Sequence, residues 1–202
     1  MARNIEIKAH VSNLATVRAK ALAVASGPAT FIEQSDTFFV VPQGRLNVRE
    51  ISDGTGELIS YERPNESGPK ESVYTRISCQ DAKVLGQALG KVLPVRGVVV
   101  TRREVFMVGR TRIHLVQVHG LGSFVELEVV LRDDESTEVG GREARRLLEA
   151  LEISSAVLIP DAYIDLLEHC GVSIDGNMRS AVEVDSSGLQ PATAGAIMSR
   201  LG

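Results

Sequence analysis

Hydrophobic and polar side chains alternate along much of this chain with the two-residue period of half-buried strands. Over residues 3–11, Ile5, Ile7, Ala9 and Val11 share one parity, while Asn4, Glu6, Lys8 and His10 take the other. Residues 31–41 place Gln34, Asp36 and Phe38 together, and residues 45–51 set Arg45, Asn47 and Arg49 against Leu46 and Val48. Further strands are predicted over 58–63, 72–79, 95–108, 110–118 and 124–131, with a hairpin at Gly109 and with Glu126 and Glu128 on one face.

Four segments switch to helical spacing. Leu14, Val17, Ala21, Leu22 and Ala25 form an apolar stripe that Ser12 can cap and Gly27-Pro28 ends. A second helix starts at Asp81, carries Val84, Leu85, Ala88, Leu89 and Val92, and closes at Pro94. Gly140-Gly141 precedes a third with Leu147, Leu148 and Leu151, and Pro160-Asp161 starts a fourth running to about His169. Residues 132–138 read as a solvated loop. Beyond Gly171 the chain is weakly patterned, with loop punctuation at Asp175-Gly176 and Ser186-Ser187-Gly188 and a short helix expected over 192–201. This divides the chain into a domain over residues 1–170 and a C-terminal extension over 171–202.

Eight strands with mostly short connections predict an α+β protein built on an antiparallel meander. Charge decides its shape. Carboxylates stand on two strands and arginines on several others, and closing the sheet into a barrel brings them together inside it. Helices would then cover the apolar outer parity.

Composition narrows the function. The 202 residues are 44% apolar, enough for a substantial core, and a net charge of −4 excludes broad non-specific nucleic-acid binding. Cys79 and Cys170 lie far apart without metal-ligand spacing, so no disulfide is expected. The charged amino terminus and the lack of a long apolar run predict a soluble cytoplasmic protein with no membrane partner.

The candidate chemistry is that of a metal-bound anion. Mg²⁺ takes hard oxygen ligands and leaves positions for substrate phosphates, a role Glu6, Glu126 and Glu128 suit. Arg45, Arg49, Arg63, Arg103 and Arg112 offer forked donors matched to phosphate, and Lys8 and Lys70 compact positive charge. Singly, such residues are common in solvated strands. Only their combination is specific.

In order along the chain, Asn4-Ile-Glu-Ile-Lys8, Gly44-Arg-Leu-Asn-Val-Arg-Glu50, Thr111-Arg-Ile-His-Leu115 and Gly120-Leu-Gly-Ser-Phe-Val-Glu-Leu-Glu128 resemble the CYTH family. These are the triphosphate tunnel metalloenzymes, which include class IV adenylate cyclases, thiamine triphosphatases and inorganic triphosphatases. Leu58-Ile-Ser-Tyr-Glu-Arg-Pro64, Gly68-Pro-Lys70 and Ala162-Tyr-Ile-Asp-Leu-Leu167 look like the class IV cyclase-like branch. The resemblance implies an eight-stranded antiparallel β-barrel, the triphosphate tunnel, with helices outside. It implies Glu6, Glu126 and Glu128 as ligands of Mg²⁺ or Mn²⁺, and a phosphate path lined by Lys8, Arg45, Arg49, Arg103 and Arg112, with Arg63 and Lys70 as further candidates. The implied partner is a triphosphate-containing small molecule: ATP, thiamine triphosphate or inorganic triphosphate. The implied reaction is hydrolysis or adenylate cyclisation.

Four positions depart from the family pattern. Asn4 replaces a carboxylate, Asn47 and Thr101 replace cations, and Val116 stands where an acidic residue follows His114-Leu115. Valine neither coordinates a metal nor orients water, so a non-catalytic triphosphate- or nucleotide-binding tunnel is the alternative. His114 and His119 are read as structural or surface residues, and Asp36 either as a lumen group or as the partner of an arginine.

Overall fold

A computed structural model describes residues 2–171. Eight strands close into an antiparallel barrel: β1 (Ala2–His10), β2 (Thr30–Phe39), β3 (Arg45–Ile51), β4 (Gly56–Glu62), β5 (Lys70–Cys79), β6 (Val95–Val108), β7 (Thr111–Val118) and β8 (Gly122–Val130). Around the barrel the order is β1-β5-β4-β3-β2-β6-β7-β8. The expected simple meander is therefore split into two runs, β2 to β5 and β6 to β8. Strand β1 stitches one seam between β5 and β8, and the β2–β6 pair closes the other. The two connections that leave these meanders carry α1 (Leu14–Val24) and α2 (Ala82–Gly90), long enough to cross to a non-neighbouring strand.

The outward parity of the strands is the core. Ile5, Ile7, Phe106, Ile113, Leu127 and Val129 pack beneath Val17 and Ala21 of α1 and Ala144, Leu147, Leu148 and Leu151 of α3 (Thr137–Ala150). Val48 and Phe39 meet Ala82 at the foot of α2. Helix α4 (Tyr163–His169) lies over one end of the barrel, against Phe38, Val99, Val116 and Phe124.

Local chemistry explains most element ends. Asn13, one residue after the expected cap, starts α1, its Oδ1 accepting from the Ala15 and Thr16 amides at 2.9 and 3.2 Å. Asp81 caps α2 through the Val84 amide at 2.9 Å. Gly140 and Gly141 sit inside α3 rather than before it. A Cβ on Gly140 would lie 2.6 Å from Ile5 Cγ1 and 2.7 Å from Leu131 Cδ2, so glycine here serves close helix–strand approach instead of marking a boundary. The segment expected as a free loop is tied down, since the Glu135 carboxylate pairs with Arg110 and accepts from the Arg132 amide at 3.1 Å. Cys79 and Cys170 form no disulfide, and no described helix is long and apolar enough to cross a membrane. The expectations for residues 172–202 lie outside the described residues.

Candidate functional site

Strand alternation sends every second side chain into the barrel, and register decides which of them meet. Glu6 faces Glu128 across β1 and β8, Lys8 faces Glu126, Arg112 faces Glu128 across β7 and β8, and Asp36 faces Arg49 across β2 and β3. Together they line a cavity of about 340 Å³. Glu6, Lys8, Arg49, Arg63, Arg103, Arg112, Glu126 and Glu128, all expected site residues, share this lumen. Arg45 and Lys70 do not line it.

Each lumen carboxylate already holds a cation. Glu6 accepts from Arg63 at 2.6 Å, and Glu126 accepts from Arg103 at 2.6 Å with Lys8 Nζ 3.5 Å away. Arg112 Nε donates to Glu128 at 2.8 Å, and His114 Nε2 lies 3.4 Å from the same carboxylate oxygen. Asp36 gathers Arg49, Asn47 and Gln34 at 2.9, 2.8 and 2.7 Å. Six cationic side chains (Lys8, Arg49, Arg63, Arg76, Arg103, Arg112) thus face five carboxylates (Glu6, Asp36, Glu57, Glu126, Glu128), leaving the lumen close to charge balance.

The electrostatics follow from burial and pairing. Burial opposes ionisation of Glu126, but Arg103 and Lys8 outweigh it and hold its pKa down, at about 2. Burial likewise opposes the Glu128 charge, and His114 and Arg112 keep its carboxyl well below the ordinary range. Desolvation lowers the Lys8 pKa despite Glu126 and Glu6. Burial also raises the Tyr163 phenol well above its usual value, with the Glu126 charge adding to it.

Helix α4 and the segment before it close one end and occupy several cations. Lys8, 3% exposed, donates to the Asp161 carbonyl at 3.0 Å and stands 3.8 Å from the Tyr163 ring centre. Arg63 donates to the Pro160 carbonyl at 3.1 Å. Lys70 places its ammonium on the carbonyls of Glu66, Ile159 and Pro160 at 2.9, 3.2 and 3.1 Å, which uses all three of its donors. Arg45 lies at the same end, donating to Asp165 at 2.8 Å, and Arg96 reaches the other Asp165 oxygen at 2.6 Å. Lys70 and Arg45 therefore fasten this closing segment.

The donor chemistry suits a hard divalent cation. Asn4 Oδ1 is buried without a hydrogen-bond partner, two residues from Glu6 on the same face and diagonal to Glu128. That is an unused oxygen beside two carboxylates. Among the described residues no group of three His, Cys, Asp or Glu side chains is gathered for a metal, because the carboxylates lean onto their arginines. Val116, fully buried, packs with Phe38, Val99, Phe124 and the cap residue Tyr163, so the position of the family's acid belongs here to an apolar plug.

Two contributors, His114 and Tyr163, are missing from the site expected from sequence. His114 faces the lumen rather than the surface, whereas His119 is exposed in a turn. Strand parity with Arg112 signals the first of these. Asp36 satisfies both of its readings, since it is a lumen group and it pairs with Arg49. Tyr163 left no local signal, because a helix position says nothing of which barrel end the helix covers.

A family model described as CYTH domain matches residues 2–163. No curated protein matches the chain in sequence. Among solved structures, a protein of Pyrococcus horikoshii is 23% identical with a TM-score of 0.72, over 80% of this chain and 98% of its own. An adenylate cyclase candidate of Vibrio parahaemolyticus is 22% identical with a TM-score of 0.66, over 82% and 97%. An adenylyl cyclase candidate of Hippeastrum with a dominant triphosphatase activity is 12% identical with a TM-score of 0.51, over 92% and 98%. These likenesses establish the fold.

Proposed function

The chain belongs to the CYTH domain family, and from that premise we propose that it binds a triphosphate with Mg²⁺ or Mn²⁺ inside the barrel and hydrolyses it. The observation that carries this reading is the lumen itself, where Glu6, Glu126 and Glu128 are interleaved with Arg49, Arg63, Arg103 and Arg112. A near-neutral lumen does not offset the charge of a triphosphate. Glu6, Glu128 and Asn4 Oδ1, with Glu126 as a further oxygen donor, would hold a divalent cation, which would add the missing positive charge and polarise the phosphate oxygens.

The chain's own groups have distinct tasks in this proposal. Arg112, Arg103 and Arg49 project from three strands into one cavity, so their forks hold phosphate oxygens from several sides and stabilise charge as the terminal group transfers. Water attacks the terminal phosphorus, the bond to the bridging oxygen breaks, and the diphosphate portion leaves. The water's proton passes to a phosphate oxygen of the substrate, and His114, 3.4 Å from Glu128, helps to hold that carboxylate in place. Lys8 acts at the closed end, where it positions Glu126. Cys79 and Cys170, not joined in a disulfide, suit a reducing cytoplasm.

One observation favours a second reading. Val116 sits in an apolar plug, and Arg103 and Lys8 are committed to Glu126, so the tunnel can bind without turning over. A turnover panel separates the two. Phosphate release from ATP, thiamine triphosphate or inorganic triphosphate with Mg²⁺ or Mn²⁺, abolished by Glu128→Ala, supports hydrolysis, and cyclic AMP seen by mass spectrometry replaces it with cyclisation. Calorimetric binding without product supports the silent tunnel.

A further inference from the structure

Of the four histidines, His114 lines the lumen and His10, His119 and His169 do not. Strand β7 sends it inward two residues after Arg112, in register with Glu126 on β8 and with Val105 on β6. It is 7% exposed, yet neither ring nitrogen makes a hydrogen bond. Buried polar groups are ordinarily satisfied, and Val105 offers this ring nothing to bond. The groups it does face are carboxylates, Glu126 across the strand pair and Glu128 on the diagonal.

The spacing to Glu128 is informative. His114 Nε2 lies 3.4 Å from the carboxylate oxygen that Arg112 also reaches. A charge-assisted hydrogen bond is shorter, about 2.7–2.9 Å. Two ligand atoms each about 2.1 Å from a shared metal ion stand about 3.0 Å apart at a right angle and about 3.4 Å apart at a tetrahedral one. The imidazole nitrogen and the carboxylate oxygen are thus spaced as neighbouring ligands of one ion. A third ligand is close by, since Glu6 faces Glu128 across β1 and β8 and is held by Arg63, and Glu126 is held by Arg103. A triphosphate that draws either arginine onto its own oxygens releases that carboxylate.

Nitrogen in the ligand set changes which ion fits. Mg²⁺ demands an octahedral shell of hard oxygens and sheds water reluctantly, whereas imidazole suits first-row transition ions. We propose that His114 Nε2 joins Glu128 as a ligand of the lumen's divalent ion, and that the site thereby prefers a transition-metal ion to Mg²⁺. The proposal rests on the metal-assisted triphosphate reading given above.

Electron spin-echo spectroscopy of Mn²⁺ on the full chain tests it, with the metal alone and with inorganic tripolyphosphate, which carries no nitrogen. The Mn²⁺ echo is expected to carry a ¹⁴N modulation that becomes a ¹⁵N one when the protein is made with ¹⁵N-histidine. His114→Gln should lose it and His10→Gln should keep it. In His114→Gln, Mn²⁺ affinity should also fall about tenfold, while Mg²⁺ affinity, measured by competition, should change less than about threefold, because glutamine still offers an oxygen. The labelled, unaltered protein decides the ligand even if the His114 variant does not fold. Mn²⁺ that binds without a histidine coupling, or a coupling that survives in His114→Gln, overturns the proposal and leaves the carboxylate site intact. An equal loss for both ions overturns the preference. Absence of Mn²⁺ binding under both conditions refutes the metal reading and this proposal with it.

Discussion

Arg103 on β6 reaches past β7 to place its Nη1 2.6 Å from the Glu126 carboxylate on β8. Its register partner on β7 is Val116, which offers it nothing. Without an acid there, the guanidinium spans the intervening strand and secures a carboxylate that a metal would otherwise use. One apolar residue thereby changes the state of a charged one on another strand.

Val116→Asp is expected to give Arg103 a partner directly opposite and to loosen its hold on Glu126. Metal-dependent phosphate release should rise about tenfold or more, the equivalent of roughly 1.4 kcal/mol in the barrier. Because the change enters an apolar plug, thermal stability should fall. Steady-state assays with Mn²⁺ beside thermal melts check both, and an unchanged rate rejects this account of Arg103.

Arg103→Met removes one partner of a buried pair and leaves Lys8, 3.5 Å away, as the remaining lysine or arginine paired with Glu126. Stability is expected to drop by about 3 kcal/mol, since an uncompensated buried charge costs roughly 3–5 kcal/mol. Denaturant unfolding measures it. A loss under about 1 kcal/mol would mean that the pair is well solvated.

Stability should also decline in acid. The folded pKa values of Glu126 and Glu128 lie below the ordinary 4.5, so the folded state binds fewer protons than the unfolded chain in that range. Their contribution is complete above the unfolded value and is lost as pH falls from about 4.5 towards about 2. Melting temperatures across this window should decrease steadily. In Glu126→Gln the decrease should be shallower.

The family resemblance implies Arg112 on the phosphate path and Lys70 as a further candidate, and their surroundings separate them. Lys70→Met strips three carbonyls of their donor and is expected to cost about 2–3 kcal/mol of stability. Arg112→Met should instead weaken triphosphate binding at least tenfold with a smaller stability cost. Unfolding curves and calorimetry on both variants provide the contrast, and equal losses of affinity would restore Lys70 to the phosphate path.

Removing divalent metal should weaken triphosphate binding by more than tenfold, because six cations against five carboxylates leave little net charge for the ligand. Titration in chelator and in Mg²⁺ measures it. Equal affinity in both would show that the arginines leave their carboxylates for the phosphates without a metal.

The strand pattern determined a great deal alone. Alternation put Glu6, Lys8, Arg49, Arg103, Arg112, Glu126 and Glu128 on one parity, and that parity is the lumen, because a period of two sends neighbouring residues to opposite faces whatever the strand pairs with. The ordered motifs specified the family through local spacing, and eight such strands sufficed for the barrel. What the sequence could not decide was partnership across distance. The leap of β1 to β5, the seating of Gly140 against Ile5, the saturation of Lys70 by carbonyls nearly ninety residues away in the case of Ile159 and Pro160, and the reach of Arg103 past Val116 depend on which elements end up side by side. Such contacts leave no periodic trace, since they are set by the closure of the barrel and the helix over its end. Local repetition therefore determined the fold and the inventory of charges, and only tertiary packing decided which charges remain free for a ligand.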